Sequence, residues 1–278
     1  MEQKSKIMQL SENELIESIQ TGNISVCIIG IGRIGLPTAL SFANSGLSTI
    51  GIDINSKLVD MINSKIFPLK DEPGYDVIFD KVINEKFYAS TKIHDIVPNS
   101  DIIVLSLPTP MDENNVPDYS ALLSVGKQLG ELLAKDSLVI VESTVEPGFI
   151  ENELIDSIEN SERKLVAGKD FAIGVCPETA NPGQIMNDFE KLPRLVGAIN
   201  DHAVDVIMKI YKHVFTVDLI PMPNCKTANA VKLTTNVFRD LNIAFVNELA
   251  MLFEKVGIDI MTVLEAAKSK YNFQIHYA

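Results

Sequence analysis

The sequence has no apolar run long enough to cross a bilayer, since stretches such as residues 102–107 are far shorter than the roughly 20 residues that a membrane helix needs. Its N-terminus has no apolar segment suited to a signal peptide, so we expect a cytoplasmic protein. Cysteine is scarce: Cys27, Cys176 and Cys225 are scattered and odd in number, which argues against a disulfide framework. The 4 histidines show no ligand spacing, and no metal site is expected.

Positive charge is also in short supply. Lysine and arginine number 24 against 37 aspartates and glutamates, which gives a net charge of -13 at pH 7. This balance disfavours nucleic acid and anionic membranes as partners, and an anionic ligand would need a local positive site. The 278 residues suffice for one large or two ordinary domains, and 46% hydrophobic with 22% charged residues is typical of a soluble globular protein.

From residue 24 onward, short apolar runs alternate with amphipathic stretches, a pattern that predicts a doubly wound α/β fold with a parallel sheet buried on both faces. Ser11 and Glu14 form a capping-box pair that predicts a short additional helix over residues 11–20. We expect strands at residues 24–29, 49–52, 101–107, 138–142, 171–176 and 194–198, and helices at residues 36–44, 57–63, 119–133 and 150–158.

The sequence changes in character after the turn-rich segment at residues 221–224. Residues 225–256 contain neither glycine nor proline and repeat apolar residues at helical spacing, which predicts one long helix ended by Gly257. Asp259 then caps a further short helix to about Lys268. We therefore expect an α/β domain over residues 1–222, with the N-terminal helix as an extension, and a helical domain over residues 223–278.

A glycine-rich loop stands at the first strand-to-helix junction. Gly30-Ile31-Gly32-Arg33-Ile34-Gly35 follows an apolar strand and opens a helix, and Asp53 ends the second strand. The first glycine permits a tight turn, the second lets the backbone approach a pyrophosphate, and the third lets the helix pack on the strand. Asp53 would accept hydrogen bonds from the adenosine ribose and repel a 2′-phosphate. The loop is compatible with a purely structural turn, but the whole unit predicts a Rossmann-like domain that prefers NAD to NADP.

Three further polar segments follow strand ends, where a doubly wound sheet opens onto its cofactor crevice: residues 107–110, 142–148 and 176–183. Each alone is also compatible with an ordinary polar turn. On the long helix, Lys232 and Asn236 are four residues apart and Arg239 is three further, so the three side chains share one face. A lysine on a helix is usually solvated, but this stripe is flanked by apolar positions.

In this order, these segments resemble the UDP-glucose/GDP-mannose/UDP-N-acetylhexosamine 6-dehydrogenases, a family of nucleotide-sugar dehydrogenases. The resemblance runs from Val26 to the last residue. It rests on the glycine loop with Leu36-Pro37-Thr38-Ala39, the Pro-Thr-Pro turn, the Glu-Ser-Thr-Val turn, the Pro-Glu turn, and Lys-(x)3-Asn on the helix leading to Asn247-Glu248. The Cys-Pro-Glu…Pro-Gly form of the fourth motif is most similar to the UDP-N-acetyl-D-mannosamine dehydrogenase branch, although Thr179 stands where that branch usually has arginine.

The resemblance implies oxidation of the C6 alcohol of a UDP-sugar to a carboxylate in two steps with two NAD, as a contribution to polysaccharide biosynthesis. Lys232 would stabilise the developing oxyanion electrostatically. Asn236 and Thr144 would hold water or alkoxide, and Glu178 would act as acid or base in the hydrolytic half. The residues expected to bind the cofactor are Gly30, Ile31, Gly32, Arg33, Ile34, Gly35, Asp53, Pro108, Thr109 and Thr144. The helix at residues 225–256, apolar on more than one face, would join two copies in a homodimer.

The chain departs from the family at its end. In the family, a glycine-rich loop with the thiol nucleophile follows at the point where this chain stops, residues 273–278, and a nucleotide-sugar-binding domain follows that loop. None of the three cysteines is expected to replace the thiol, because Cys27 lies inside the first strand and Cys176 precedes a proline at a strand end. Cys225 lies near a helix N-terminus, where its pKa could fall, but an inert thiol is the commoner case.

Three functions are compatible with these features. The first is an NAD-dependent nucleotide-sugar 6-dehydrogenase represented by its NAD-binding and central domains. The second is a non-catalytic NAD-binding protein that dimerises. The third is a single-step dehydrogenase like the hydroxyisobutyrate and 6-phosphogluconate enzymes, which also place a lysine and an asparagine on a long helix. The Glu-Ser-Thr and Pro-Glu turns favour the first function over the third, and the identity of the sugar is left open.

We predict that these 278 residues alone do not complete the oxidation of a nucleotide sugar to its uronic acid. The second hydride transfer needs the aldehyde held as an adduct or a hydrate, and no thiol is expected there. Loss of precise substrate positioning can remove on the order of 7–11 kcal/mol in favourable cases. NADH production should be followed with UDP-N-acetylmannosamine, UDP-N-acetylglucosamine and UDP-glucose at high protein concentration. Two NADH per sugar, with the uronic acid identified by mass, would contradict the prediction.

Overall fold

The computed structural model describes residues 7–271 and 273, and the chain divides into two compact units, Met1–Asn229 and Ala230–Ala278. The thiol loop of the family was expected to follow residues 273–278. Of these, residues 274–278 lie outside the described residues. The first unit contains the sheet and its helices. The second contains most of one long helix and a short helix that follows it.

Strands and helices alternate through the first unit. The strands are β1 (Ser25–Ile29), β2 (Ser48–Ile52), β3 (Phe87–Ser90), β4 (Ile102–Leu105), β5 (Ser137–Val141), β6 (Phe171–Val175), β7 (Arg194–Ala198) and β8 (Leu219–Pro221). The helices are α1 (Glu12–Gln20), α2 (Gly35–Asn44), α3 (Ser56–Asn63), α4 (Tyr75–Val82), α5 (Ile93–Ile96), α6 (Ser120–Leu132), α7 (Ile155–Glu159), α8 (Ile185–Lys191) and α9 (Asp201–Val214). The long helix α10 (Cys225–Lys255) begins in this unit and continues into the second, where α11 (Ile260–Ala267) follows.

The eight described strands form one sheet in the order β3-β2-β1-β4-β5-β6-β7-β8. Neighbouring strands from β3 to β6 are parallel, as are β7 and β8, which confirms the predicted doubly wound fold. One direction was not predicted: β7 runs antiparallel to β6, with Val175 opposite Gly197. Because of this reversal, Arg194 at the start of β7 lies at the edge where β6 ends.

Most of the predicted elements are present close to their predicted bounds. The capping box of α1 is formed, since the backbone N–H of Ser11 donates to the Glu14 carboxylate at 2.9 Å. Asp259 caps α11 by accepting from the Thr262 backbone N–H at 2.9 Å. The helix predicted at residues 150–158 begins instead as a π-helical turn, Ile150–Leu154, before α7. The prediction did not include β3, β8, α4, α5, α8 and α9.

The sheet is buried on both faces because alternate residues of its central strands enter different apolar layers. In β1, Val26 and Ile28 pack in the layer formed with α1, α2, α4 and α9, whereas Cys27 and Ile29 pack in the layer formed with α6 and α7. The strands β4 and β5 repeat this alternation. Each fully buried aliphatic side chain contributes about 1.5–3 kcal/mol to stability. The sheet is therefore a rigid platform for the loops at its edges.

A buried ion pair lies just beyond the end of β5. Arg194 Nη1 is 3.4 Å from Glu142 Oε1, and both side chains are almost completely buried. The same carboxylate accepts hydrogen bonds from the hydroxyls of Tyr211 at 2.9 Å and Thr38 at 3.0 Å. Burial raises the pKa of Glu142, and the charge of Arg194 opposes that rise. The pair thus joins α2, β5, β7 and α9 through one carboxylate.

We predict that Glu142→Gln lowers the free energy of unfolding by about 3–5 kcal/mol, because the guanidinium of Arg194 would stay buried without a counter-charge. Urea unfolding followed by circular dichroism measures this change. The control is Glu12→Gln, which removes an exposed carboxylate that lies 3.2 Å from Lys209 and should leave the midpoint almost unchanged. A Glu142→Gln midpoint equal to that of the control would contradict the prediction.

Candidate functional site

The glycine loop between β1 and α2 has the close contacts that its three glycines permit. Gly30 has a φ of 90°, and a Cβ atom there would overlap the carbonyl oxygen of Ser106. A Cβ atom on Gly35 would overlap the carbonyl oxygen of Gly30, so only glycine lets α2 approach β1 this closely. At Gly32, by contrast, a Cβ atom would meet no protein atom within 4 Å. The open space at Gly32, on the wall of a cavity, fits the approach of a dinucleotide pyrophosphate.

Asp53 follows β2 and is held beside this loop. Its Oδ2 accepts from the Ile31 backbone N–H at 3.2 Å, and its Oδ1 accepts from the Asn55 backbone N–H at 2.9 Å. Both oxygens keep further lone pairs for a ribose hydroxyl. The next residue, Ile54, is fully exposed on the same cavity wall and offers an apolar surface to an adenine ring.

One cavity of about 700 Å³ at the carboxyl edge of the sheet is lined by most of the predicted residues of the first unit. The predicted residues that line it are Gly30, Gly32, Arg33, Ile34, Asp53, Pro108, Thr109, Thr144 and Glu178. Ile31 and Gly35 do not line it: Ile31 contributes its N–H to Asp53, and Gly35 serves the packing of α2. The other two predicted residues, Lys232 and Asn236, lie one helical turn apart on α10 in the second unit.

The two turns after β4 and β5 are fastened to each other by their own polar groups. The Leu107 backbone N–H donates to Ser143 Oγ at 2.8 Å, and Ser143 Oγ donates to the Leu107 carbonyl at 2.8 Å. The hydroxyl of Thr109 donates to the Thr144 carbonyl at 2.8 Å, and the Glu146 backbone N–H donates to the Tyr119 hydroxyl at 3.0 Å. The positions of Thr109 and Thr144 on the cavity wall are therefore fixed relative to each other.

The Pro-Glu turn after β6 is attached to the turn after β5. The Glu178 backbone N–H donates to the Glu142 carbonyl at 3.4 Å, and the Glu178 carboxylate accepts from the Ala180 backbone N–H. Asn181 closes the turn, because its backbone N–H and its side-chain amide both donate to Asp188, at 2.8 and 3.1 Å. The carboxylate of Glu178 is thereby presented on a short, internally bonded loop at the cavity wall.

The cysteines are inert, as the sequence led us to expect. The helix N-terminus does not lower the pKa of Cys225, because burial raises it to about 12, and the nearby charge of Glu151 acts in the same direction. Burial likewise raises the pKa of Cys27 and of Cys176 to about 12. All three thiols are buried and protonated at neutral pH, so none has the character of a nucleophile.

Several residues that shape the site were given no individual role from the sequence. Glu142 lines the cavity and joins its turns, but its partner Arg194 is too distant in sequence for any local pattern to connect them. Tyr119 and Glu72 also hold cavity loops through contacts between distant segments. A Glu-Pro-Gly sequence at residues 72–74 was the one local signal for a structured turn at Glu72.

None of the helices in the described part of the chain is both long and apolar enough to cross a membrane. Nor do residues 7–271 and 273 contain a group of three or more His, Cys, Asp or Glu side chains placed to hold a metal ion.

Comparison with known proteins gives consistent matches along the chain. Residues 24–215 match the model of the UDP-glucose/GDP-mannose dehydrogenase family, NAD binding domain, and residues 226–278 match the central domain of that family. Protein CapL of Staphylococcus aureus is 35% identical over 255 residues, which is 90% of this chain and 57% of CapL. The UDP-N-acetyl-D-mannosamine dehydrogenase of Campylobacter jejuni is 34% identical over 248 residues, with 87% and 60% covered.

A solved structure supports the same relationship. The UDP-D-ManNAc dehydrogenase of Pyrococcus horikoshii superposes with a TM-score of 0.85 at 31% identity, covering 91% of this chain and 60% of that one. The chain thus spans 57–60% of the length of these relatives.

We predict that the protein binds NAD about tenfold or more tightly than NADP, because like charges about 4 Å apart repel by about 1–4 kcal/mol at dielectric constants between those of water and a protein surface. Asp53→Asn should bring the two dissociation constants together, since a neutral amide does not repel a 2′-phosphate. Titration calorimetry with both cofactors measures the ratio. Asp205→Asn, an exposed acid on α9, is the matched control and should keep the preference. Equal affinities of the unmodified protein for NAD and NADP would refute the role of Asp53.

Proposed function

The chain belongs to the UDP-glucose/GDP-mannose dehydrogenase family and has NAD as its cofactor, and we propose that it serves the oxidation of the C6 hydroxyl of a UDP-sugar. A UDP-N-acetylhexosamine, with UDP-N-acetyl-D-mannosamine first, is the proposed substrate, and UDP-glucose is the alternative. Named relatives at 34% and 31% identity support this choice. The observation that carries the proposal is the single cavity in which the glycine loop and Asp53 lie together with Thr144 and Glu178.

In this proposal the first unit binds the cofactor and prepares the water that the reaction consumes. NAD, when bound, supplies the hydride acceptor. The glycine loop would hold its pyrophosphate through backbone N–H groups and the start of α2, while Asp53 would hold its ribose. Thr144, on the segment fastened by Thr109, would hold water or alkoxide. The Glu178 carboxylate would take a proton from the attacking water as general base.

The long helix supplies the remaining proposed groups. Lys232 would stabilise the oxyanion that develops at the substrate, because an ammonium group attracts a developing negative charge. Asn236, one turn further along α10, would hold the same oxygen or a water through its amide. The match of Lys-(x)3-Asn to the family motif supports these two roles.

We further propose that the protein works in the cytoplasm and that the reaction it serves yields a UDP-activated uronic acid for polysaccharide biosynthesis. Both NAD and UDP-sugars are cytoplasmic metabolites, which supports the location. A uronic acid adds one negative charge to each sugar unit, and such units are constituents of acidic polysaccharides.

A homodimer through α10 is also part of the proposal. The helix exposes an apolar stripe in which Phe238 is 53%, Leu241 63% and Phe245 50% exposed, continued on the same face by Leu252. A stripe of this length on one helix favours association, and identical copies meet most often about a twofold axis that pairs the same surface with itself. We propose residues 223–278 as the domain that carries this contact.

We predict that Lys232→Met slows single-turnover NADH formation from UDP-N-acetyl-D-mannosamine by about 100-fold or more, the usual effect of removing one oxyanion-stabilising group. The dissociation constant for NAD should stay the same. Lys226→Met, an exposed lysine on the same helix, is the matched control and should retain the rate. If the protein binds NAD but forms no NADH from any UDP-sugar, the non-catalytic NAD-binding alternative is favoured instead.

We predict a dimer mass in light scattering at micromolar concentration and a monomer mass for the double substitution Leu241→Glu with Phe245→Glu. Two carboxylates in the apolar stripe would have to be desolvated in the contact, which opposes association. Val77→Glu, an equally apolar but isolated exposed position on α4, should leave the mass unchanged. A monomer mass for the unmodified protein would refute the dimer.

A further inference from the structure

Glu72 is a buried acid on the turn that precedes α4. It is only 2% exposed, while the side chain of its neighbour Asp71 is 58% exposed. A buried carboxylate is stable only when charged or hydrogen-bonding partners surround it, and each of its partners is therefore informative. The partners of Glu72 come from two segments that are far apart in the sequence.

The first partner is Arg33 of the glycine loop. Arg33 Nη1 lies 3.1 Å from Glu72 Oε1 and 2.7 Å from Asp71 Oδ2. The side chain of Arg33 is 44% exposed and the residue lines the cofactor cavity, so its guanidinium is accessible to a bound anion. The guanidinium of Arg33 can therefore interact both with a ligand in the cavity and with the carboxylate of Glu72.

The second set of partners belongs to the segment that carries Glu178. The Gly183 backbone N–H donates to Glu72 Oε1 at 2.7 Å, and the Ile185 backbone N–H donates to Glu72 Oε2 at 3.4 Å. Asn181, two residues before Gly183, is bonded to Asp188 within the same segment. Glu72 therefore connects the end of the Pro-Glu turn to the glycine loop through a single carboxylate.

Arg33 and the two backbone N–H groups therefore compete for the negative charge of Glu72. Arg33 and the Gly183 N–H both contact the same atom, Oε1. A pyrophosphate held by the glycine loop would bring negative charge next to Arg33 and attract its guanidinium. The carboxylate of Glu72 would then be less neutralised by Arg33 and would attract the N–H groups of Gly183 and Ile185 more strongly. Binding at the loop would in this way tighten the turn that presents Glu178.

We infer that Glu72 is a positioning residue that couples occupancy of the pyrophosphate site, through Arg33, to the ordering of the Glu178 turn. The inference rests on the proposed role of Glu178 and on binding of NAD at the glycine loop. It assigns Glu72 no contact with substrate or cofactor. Its effect is that the Pro-Glu turn is more ordered when NAD is bound than when NAD is absent.

The test is hydrogen–deuterium exchange of the 183–185 amides with and without saturating NAD, together with NAD calorimetry. In the unmodified protein, NAD should slow exchange at Gly183 and Ile185 by about fivefold or more, the lower end of typical coupling between sites. In Glu72→Gln this NAD-dependent change should disappear, because an amide does not attract both Arg33 and the two N–H groups as a carboxylate does. Calorimetry establishes that each variant still binds NAD, so that a lost change in exchange is not a lost ligand.

Asp71→Asn is the matched control. It removes the exposed carboxylate that pairs with the same Arg33 guanidinium, and it leaves the bonds between Glu72 and the end of the Pro-Glu turn in place. It should keep the NAD-dependent protection of the Gly183 and Ile185 amides. Its NAD affinity shows how much the loss of one negative charge beside Arg33 changes cofactor binding. Arg33→Met is a second variant that leaves Glu72 in place and should also abolish the NAD-dependent change, even if Glu72→Gln does not fold. Normal NAD binding with unchanged exchange in the unmodified protein would overturn the inference and leave the NAD site standing. Failure to bind NAD at all would overturn both.

Discussion

The carboxylate of Glu142 is the interaction on which the geometry of the cavity depends. It accepts hydrogen bonds from Thr38 on α2 and from Tyr211 on α9, and it is paired with Arg194 on β7. The backbone oxygen of the same residue accepts from the N–H of Glu178. A charge buried this deeply tolerates no loss of a partner. Helix α2, the turn after β5 and the start of the Pro-Glu turn are therefore all attached to this one residue.

The guanidinium of Arg194 is suited to this position for a reason beyond its charge. It packs in the corner formed by the rings of Phe189 and Phe215, which stand at 89° to each other, with its central carbon 4.2 and 3.9 Å from the ring centroids. A planar, weakly hydrated cation can be enclosed by aromatic faces in this way, whereas the compact ammonium of lysine keeps a strong need for water. The cation thus belongs to the apolar layer and to the ion pair at once.

The features that the sequence predicts well are those encoded within a short stretch of chain. The glycine loop and Asp53 follow from a strand–turn–helix pattern, and the caps at Ser11 and Asp259 follow from residues three apart. The strand β3 at the sheet edge was missed because it has only four residues, Phe87–Ser90, too few to establish a periodic pattern. Helix α9, by contrast, carried a readable signal, since Asn200 caps it and its apolar residues recur at helical spacing. The contacts of Glu142 and Glu72, and the raised pKa of Cys225, depend on burial between distant segments, which no local pattern reveals.

The reversed strand β7 has a consequence for the order in which a nascent chain can mature. Glu142 leaves the ribosome well before Arg194 and Tyr211, because its partners lie 52 and 69 residues further along. A chain that ends before β7 has the central parallel strands but carries an acid at the end of β5 with no cation to neutralise it. Such an intermediate would keep this edge of the sheet hydrated, since burial of the lone carboxylate is unfavourable. The part of the cavity wall that contains Glu142 is therefore completed late in synthesis, after α9 has emerged.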